Sequence, residues 1–299
     1  MSFVSLIHAD VPSAHATRTI RAATCAAAVL LAAAVPSPSF AQATAPGAAP
    51  TYADLADLAD AAQMVVRAKV RKQVAVEPDR ATGVAPGFAR VYIEADTQAL
   101  IAGTVPVGQQ LRYLVDVPLD ARGKVPKLKK TEVILFARTV PGRPGAIQPV
   151  AADGQLPWSA ELEARLRPIL AALVAPGAPP KVAGIRDAWS VAGNLSGESE
   201  TQVFFRTPGG APLAISVVRR PGAQPAWGVS YSEIVDQAVR PPQPQSLGWY
   251  RLACFLPPAL PGAANISTQQ ADRARAEADY RFVLQQLGPC ERTRKPPVG

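Results

Sequence analysis

The sequence predicts an α+β fold with two strand-rich parts: a small antiparallel, barrel-like sheet domain, then a β-meander closed by a helix. Three observations predict it. Several runs alternate apolar and polar residues with a period of two, the signature of half-buried strands. Three segments carry apolar stripes at helical spacing. Proline contributes 31 of the 299 residues, about twice the ordinary ~5%, which favours strands and turns over helical bundles. A hydrophobic content of 48% against 18% charged residues excludes a disordered polyampholyte.

Residues 1–43 read as a secretory leader that is removed. Arg18 and Arg21 precede the uncharged run Ala22–Val35. That run is shorter than the about 20 apolar residues a membrane span needs, so it fits a signal core and no transmembrane span is expected after cleavage. Pro36 and Pro38 break it, and Ala41-Gln42-Ala43 is an A-x-A cleavage site. The mature chain is expected to begin at Thr44, or at Gln42 if cleavage follows Ala41. The stretch before Arg18 is long for an n-region, which leaves the position of the true start open. Cleavage takes Arg18, Arg21 and Asp10 from the 31 basic and 23 acidic residues, leaving 29 and 22, a net +7. It also takes both histidines, His8 and His15, and one of three cysteines, Cys25. The two remaining cysteines, Cys254 and Cys290, are expected to be bonded in an exported chain.

Residues 44–50 are an Ala/Pro/Gly linker. Thr51 caps a helix over Tyr52–Gln63, with Asp54 at the capping-box position and Leu55, Leu58 and Ala62 facing inward. Asp54, Asp57 and Asp60 recur every third residue but lack the glycine turn and terminal glutamate of a calcium loop, so they read as a solvated helix face. Strands follow at Met64–Val76, Phe88–Ile101, Leu111–Val117 and Glu132–Arg138. The last contains Val133-Ile134-Leu135-Phe136 and is expected to be buried on both sides. Residues 51–150 thus form the first domain.

Within the connecting segment 151–180, Ser159 caps a second helix with Leu162, Leu166, Ile169, Leu170 and Leu173 inward, and Pro168 is expected to kink or split it. Residues 181–299 hold a strand set at Lys181–Val191, Thr201–Arg206, Leu213–Arg219 and Trp227–Tyr231. A final helix over Gln269–Leu287 turns Ala278, Phe282, Val283 and Leu287 inward.

Motifs exclude more than they suggest. The chain has no P-loop, no G-x-G-x-x-G, no G-x-S-x-G elbow and no mature S-x-x-K dyad. Without mature histidine or a free cysteine, the commonest triads, zinc sites and general bases go as well. Neither cofactor nor metal is expected. Carboxylate pairs remain: Glu198 with Glu200, and Glu233 with Asp236. Both sit beside turns, where acidic residues serve solubility. Trp189, Trp227, Trp249 and Tyr231 read as core first and as a ligand pocket second. Arg219-Arg220 reads as a strand end before it reads as a carboxylate grip.

The segment Asp120–Lys130 carries five cations, Arg122, Lys124, Lys127, Lys129 and Lys130, against one acid. With Arg67, Lys69 and Arg71 on the outer face of the first strand, it could form a patch for an anionic envelope polymer or a lipid headgroup. The plainer reading is a solvated loop with cross-strand pairing of Arg67 or Lys69 to Glu94 or Asp96. Nucleic acid is not an expected partner.

Two resemblances add to this. Tyr52–Leu55, Val65–Val70 and Leu135–Arg138 resemble the opening of exported bacterial proteins built on small OB-like barrels. Ser216–Gly222, Trp227–Ser230 and Trp249–Cys254 resemble an exported, periplasmic protein family of alphaproteobacteria. They imply an OB-like first domain and a periplasmic or secreted location, and no activity. The sequence therefore leads to a non-catalytic periplasmic binding or envelope-associated protein. The rivals are a carboxylate hydrolase with a cleft between the halves, and an inhibitor or assembly partner of another exported protein.

Overall fold

The computed structural model describes residues 49–232 and 240–297. The expected leader, its expected cleavage sites and the Glu233/Asp236 pair lie outside the described residues. Thr44–Gly299 forms one compact unit, α+β with two antiparallel sheets.

Helix α1 (Tyr52–Ala61) starts where Thr51 and Asp54 form a reciprocal capping box. Strands β1 (Met64–Ala75), β2 (Phe88–Gly103), β3 (Gln110–Pro118) and β4 (Glu132–Thr139), with the short β5 (Ile147–Pro149) and β6 (Gln155–Pro157), build the first sheet. Its order is β3-β2-β1-β4-β5, and β6 also pairs with β4. Register shifts between Val65/Val66, Arg67/Ala68 and Val70/Lys72 add twist along β1 and β2, as bulges do. The curl brings β3 towards β5: Arg112 and Ala146 form an isolated parallel bridge, and the Asp116 N–H donates to Ala152 O at 2.7 Å. Strand pairing does not extend across this seam, so the sheet is not closed.

The inner face packs Val66, Ala68, Val70, Val91, Ile93, Leu111, Tyr113, Val115, Val133 and Leu135 into one core. The opposite face of β1 and β4 presents Val65, Ile134 and Phe136 to the helices. β4 is thus buried on both sides, as its unbroken apolar run requires. Helix α2 (Ala160–Val174) is capped by Ser159 and is not split at Pro168, which lies inside it. Pro168 and Ala164, whose carbonyl it deprives of a donor, are both exposed, so that carbonyl lies on the side where water can reach it.

The second sheet is a meander, β10-β9-β8-β7, of β7 (Gly184–Ala192), β8 (Ser199–Arg206), β9 (Ala214–Arg219) and β10 (Ala226–Ser230). Helix α3 (Leu247–Ala253) packs Leu247 and Tyr250 against α1 and α2. Helix α4 (Gln270–Leu287) covers the meander with Ala276, Tyr280, Val283 and Leu287. The inward stripe is therefore rotated from the expected one: Ala278 and Phe282 are only partly buried, and Asp279 is fully buried. Asp279 is tolerated because Arg219 and Thr201 both hydrogen-bond it, which is what a buried charge needs.

Cys254, the C-cap of α3, bonds Cys290 just beyond α4, with Cα atoms 5.0 Å apart and 36 positions between them. The bond joins the end of the last helix to α3.

Candidate functional site

The polypeptide after Cys290 runs back across the first half of the molecule, and the aspartates of α1 hold it there. Asp54 accepts from Thr51 N (2.8 Å), from Thr293 N and Oγ1, and from Arg294 N. Asp57 accepts Arg292 Nε at 2.6 Å and the Tyr250 hydroxyl at 2.7 Å. Asp60 takes both terminal nitrogens of Arg251 at 2.9 Å and Lys181 at 2.8 Å. Asp54 is 1% and Asp57 7% exposed.

The expected solvated face is thus a ladder of three carboxylates, two buried and Asp60 partly so, each matched by donors from the second half of the chain. Burial would raise the Asp60 carboxyl, but hydrogen bonds from Arg251 and Lys181 outweigh it and hold it below the ordinary value. Hydrogen bonding to Asp57 raises Arg292.

Anchored in this way, Thr293–Pro297 forms one wall of a groove of about 730 Å³ along the open seam of the first sheet. Phe88, Leu114, Val150, Pro296 and Pro297 give it apolar walls. Leu114 lies on the outer face of β3 and is 48% exposed. Arg90 on β2 grips Asp116 on β3 through two bonds of 2.7 and 2.9 Å, and this raises the guanidinium further. Arg294 reaches from the tail to Asp153 at 2.6 Å.

Asp153 is presented by a tight turn in which Gly154 N–H bonds Ala151 O at 2.9 Å. A Cβ at Gly154 would stand 3.0 Å from that oxygen. Lys295 lines the groove with no ion pair among the described residues. The volume and the mixed lining match small-molecule sites, which run about 300–1,000 Å³ with apolar walls and a few polar groups. Asp116 and Asp153 share this groove, and each is already engaged by its own arginine.

The sequence-predicted cations lie elsewhere on the same sheet. Arg122, Lys124, Lys127, Lys129 and Lys130 are all exposed on the β3–β4 loop. The loop is firmly built. Gln73 on β1 donates to Pro126 O and accepts from the N–H groups of Leu128 and Lys129. Asp120, the loop's one acid, turns its carboxylate onto the N–H groups of Arg122 and Lys124. Lys130 has φ 72°, which costs a non-glycine residue about 1–2 kcal/mol, and its N–H bonds Val70 O at 2.8 Å.

The outer-strand basic residues pair differently from expectation. Arg67 bonds Glu132 and stacks over Trp158 at 3.6 Å. Arg71 and Lys72 share Glu94. Lys69 is exposed and forms no ion pair among the described residues.

The other sequence candidates do not converge. Glu198 accepts from Leu195 N within its own loop, and Glu200 accepts from Gln202. Trp227 is in the meander core, Trp249 donates to Leu287 O, and Trp189 stacks on Phe204 at 4.9 Å. Arg219 is committed to Asp279. Among the described residues, no cluster of three or more His, Cys, Asp or Glu could hold a metal ion. No helix there is long and apolar enough to cross a membrane. No protein-family model matches the chain, and no curated protein matches it.

Proposed function

We propose that this is an exported, non-catalytic binding protein whose ligand occupies the groove between β3, the β5–β6 turn and the C-terminal tail. The groove itself carries the reading: apolar walls, Lys295 without an ionic partner among the described residues, and flanking ion pairs that fix the shape. That chemistry suits a small apolar molecule bearing an acidic group. We read the first sheet as a partly open OB-like barrel, a class in which incomplete closure is ordinary. The strand order and the Arg112–Ala146 bridge support it. The leader at residues 1–43 and the disulfide support export to the periplasm.

Anilinonaphthalene sulfonate, an apolar dye with one sulfonate, tests the site on the protein from Thr44 onward. Saturable binding at about one dye per protein is expected. Leu114→Asp should weaken it at least tenfold while far-ultraviolet dichroism and melting stay native. No saturable binding, or equal binding by the variant, would overturn the reading. A hydrolase in this groove would have to draw on Asp116 and Asp153, and both are engaged by arginines that also fix the groove walls.

A further inference from the structure

We propose that the β3–β4 loop and the adjoining end of β1 form a docking surface for the headgroup face of an anionic phospholipid bilayer. The proposal stands independently of the groove. Five loop cations, Arg122, Lys124, Lys127, Lys129 and Lys130, are exposed and have no acidic partner among the described residues. The Lys130 N–H to Val70 O bond sets the loop against β1, so the exposed Lys69 extends the same patch.

Three devices hold this loop in one shape. Gln73 bonds the loop backbone through both its amide nitrogen and oxygen, Asp120 accepts from the N–H groups of Arg122 and Lys124, and Lys130 sits in the left-handed region. Fixing the backbone holds the ammonium groups together despite their repulsion. Retained strain of this kind clusters at functional sites.

The layout favours a surface over a discrete anion. The concavity among these residues is lined by Arg71, Lys72, Gln73, Lys129 and Glu94. Glu94 already takes Arg71 and Lys72, so a single phosphate entering there would meet a carboxylate. Phosphates spread over a plane meet the projecting lysines without entering it, and clustered basic residues are attracted to such planes.

Cosedimentation of the protein from Thr44 onward with phosphatidylcholine vesicles, with and without phosphatidylglycerol, tests this. Binding is expected only to the anionic vesicles, and it should collapse between 0.01 and 0.15 M salt as the Debye length falls from about 30 to about 8 Å. Each lysine of 124, 127, 129 and 130 changed to glutamine should weaken partitioning by roughly fivefold. Changing the same four to arginine should preserve it. Gln73→Ala, which frees the loop and leaves every charge in place, should weaken it less than the glutamine set. Equal binding by the glutamine set, equal binding to neutral vesicles, or binding of soluble polyphosphate with none to vesicles would overturn the proposal.

Discussion

Asp57 shows how one residue couples the two ends of the chain. Its carboxylate takes Arg292 from the tail and the buried Tyr250 hydroxyl from α3, and burial drives that hydroxyl well above the ordinary tyrosine range. Asp57→Ala strands both donors. Removing one member of a buried pair leaves the other uncompensated, and here the expected loss is about 3 kcal/mol, read from urea denaturation. Asp57→Asn should recover part of it, because the amide oxygen still accepts one bond.

Asp60 gives a pH signature. Its folded pKa lies below the reference 3.8, so the unfolded chain takes up the proton first as pH falls. Its contribution is therefore complete well above 3.8 and is lost as pH drops through the folded value. The stability difference between the native protein and Asp60→Asn should be constant at neutral pH and should shrink below about pH 4. A difference unchanged down to pH 2 would contradict the ion pairs.

At the scale of elements, the disulfide and the tail act as one device. The bond fixes Cys290 beside α3, and from there Arg292, Thr293 and Arg294 reach the aspartates and position the groove wall. The Cys254→Ala/Cys290→Ala double variant should lose about 3–4 kcal/mol by the loop-entropy model. It should also bind dye more weakly, because the wall loses its anchor. Unaltered dye affinity in a destabilised variant would separate the bond from the groove.

Strands and helices with clear periodicity were legible in the sequence: α1, β1 to β4, α2, the meander and α4 start and stop near their expected ends. What was not legible depends on distant partners. The α1 aspartates read locally as a wet face because their donors lie as far as 240 residues away. Asp279 was missed for the same reason, since its partner Thr201 comes from another element. Helix α3 carries a local signal in its cap, Ser246, which accepts from Trp249 N; its short length masked it. The groove has no motif, because two sheet edges and the tail assemble it.

The described residues form a curled sheet and a meander joined through a layer of α1, α2 and α3, with Trp249 packed against the cores on both sides. One exposed sheet face carries both proposed contacts. Val74, Tyr92 and Leu114 lie in one cross-strand row. On one side of it is the Arg90–Asp116 pair of the groove, on the other Lys72 and Glu94 beside the basic loop.

The groove is the central claim, and amide-resolved NMR titration of the protein with anilinonaphthalene sulfonate tests it most directly. Shifts should concentrate at Leu114, Asp116, Ala151–Asp153 and Arg294–Lys295, saturate together with one affinity, and vanish in Leu114→Asp. Shifts centred on the meander, or scattered over the surface without saturation, would contradict the account.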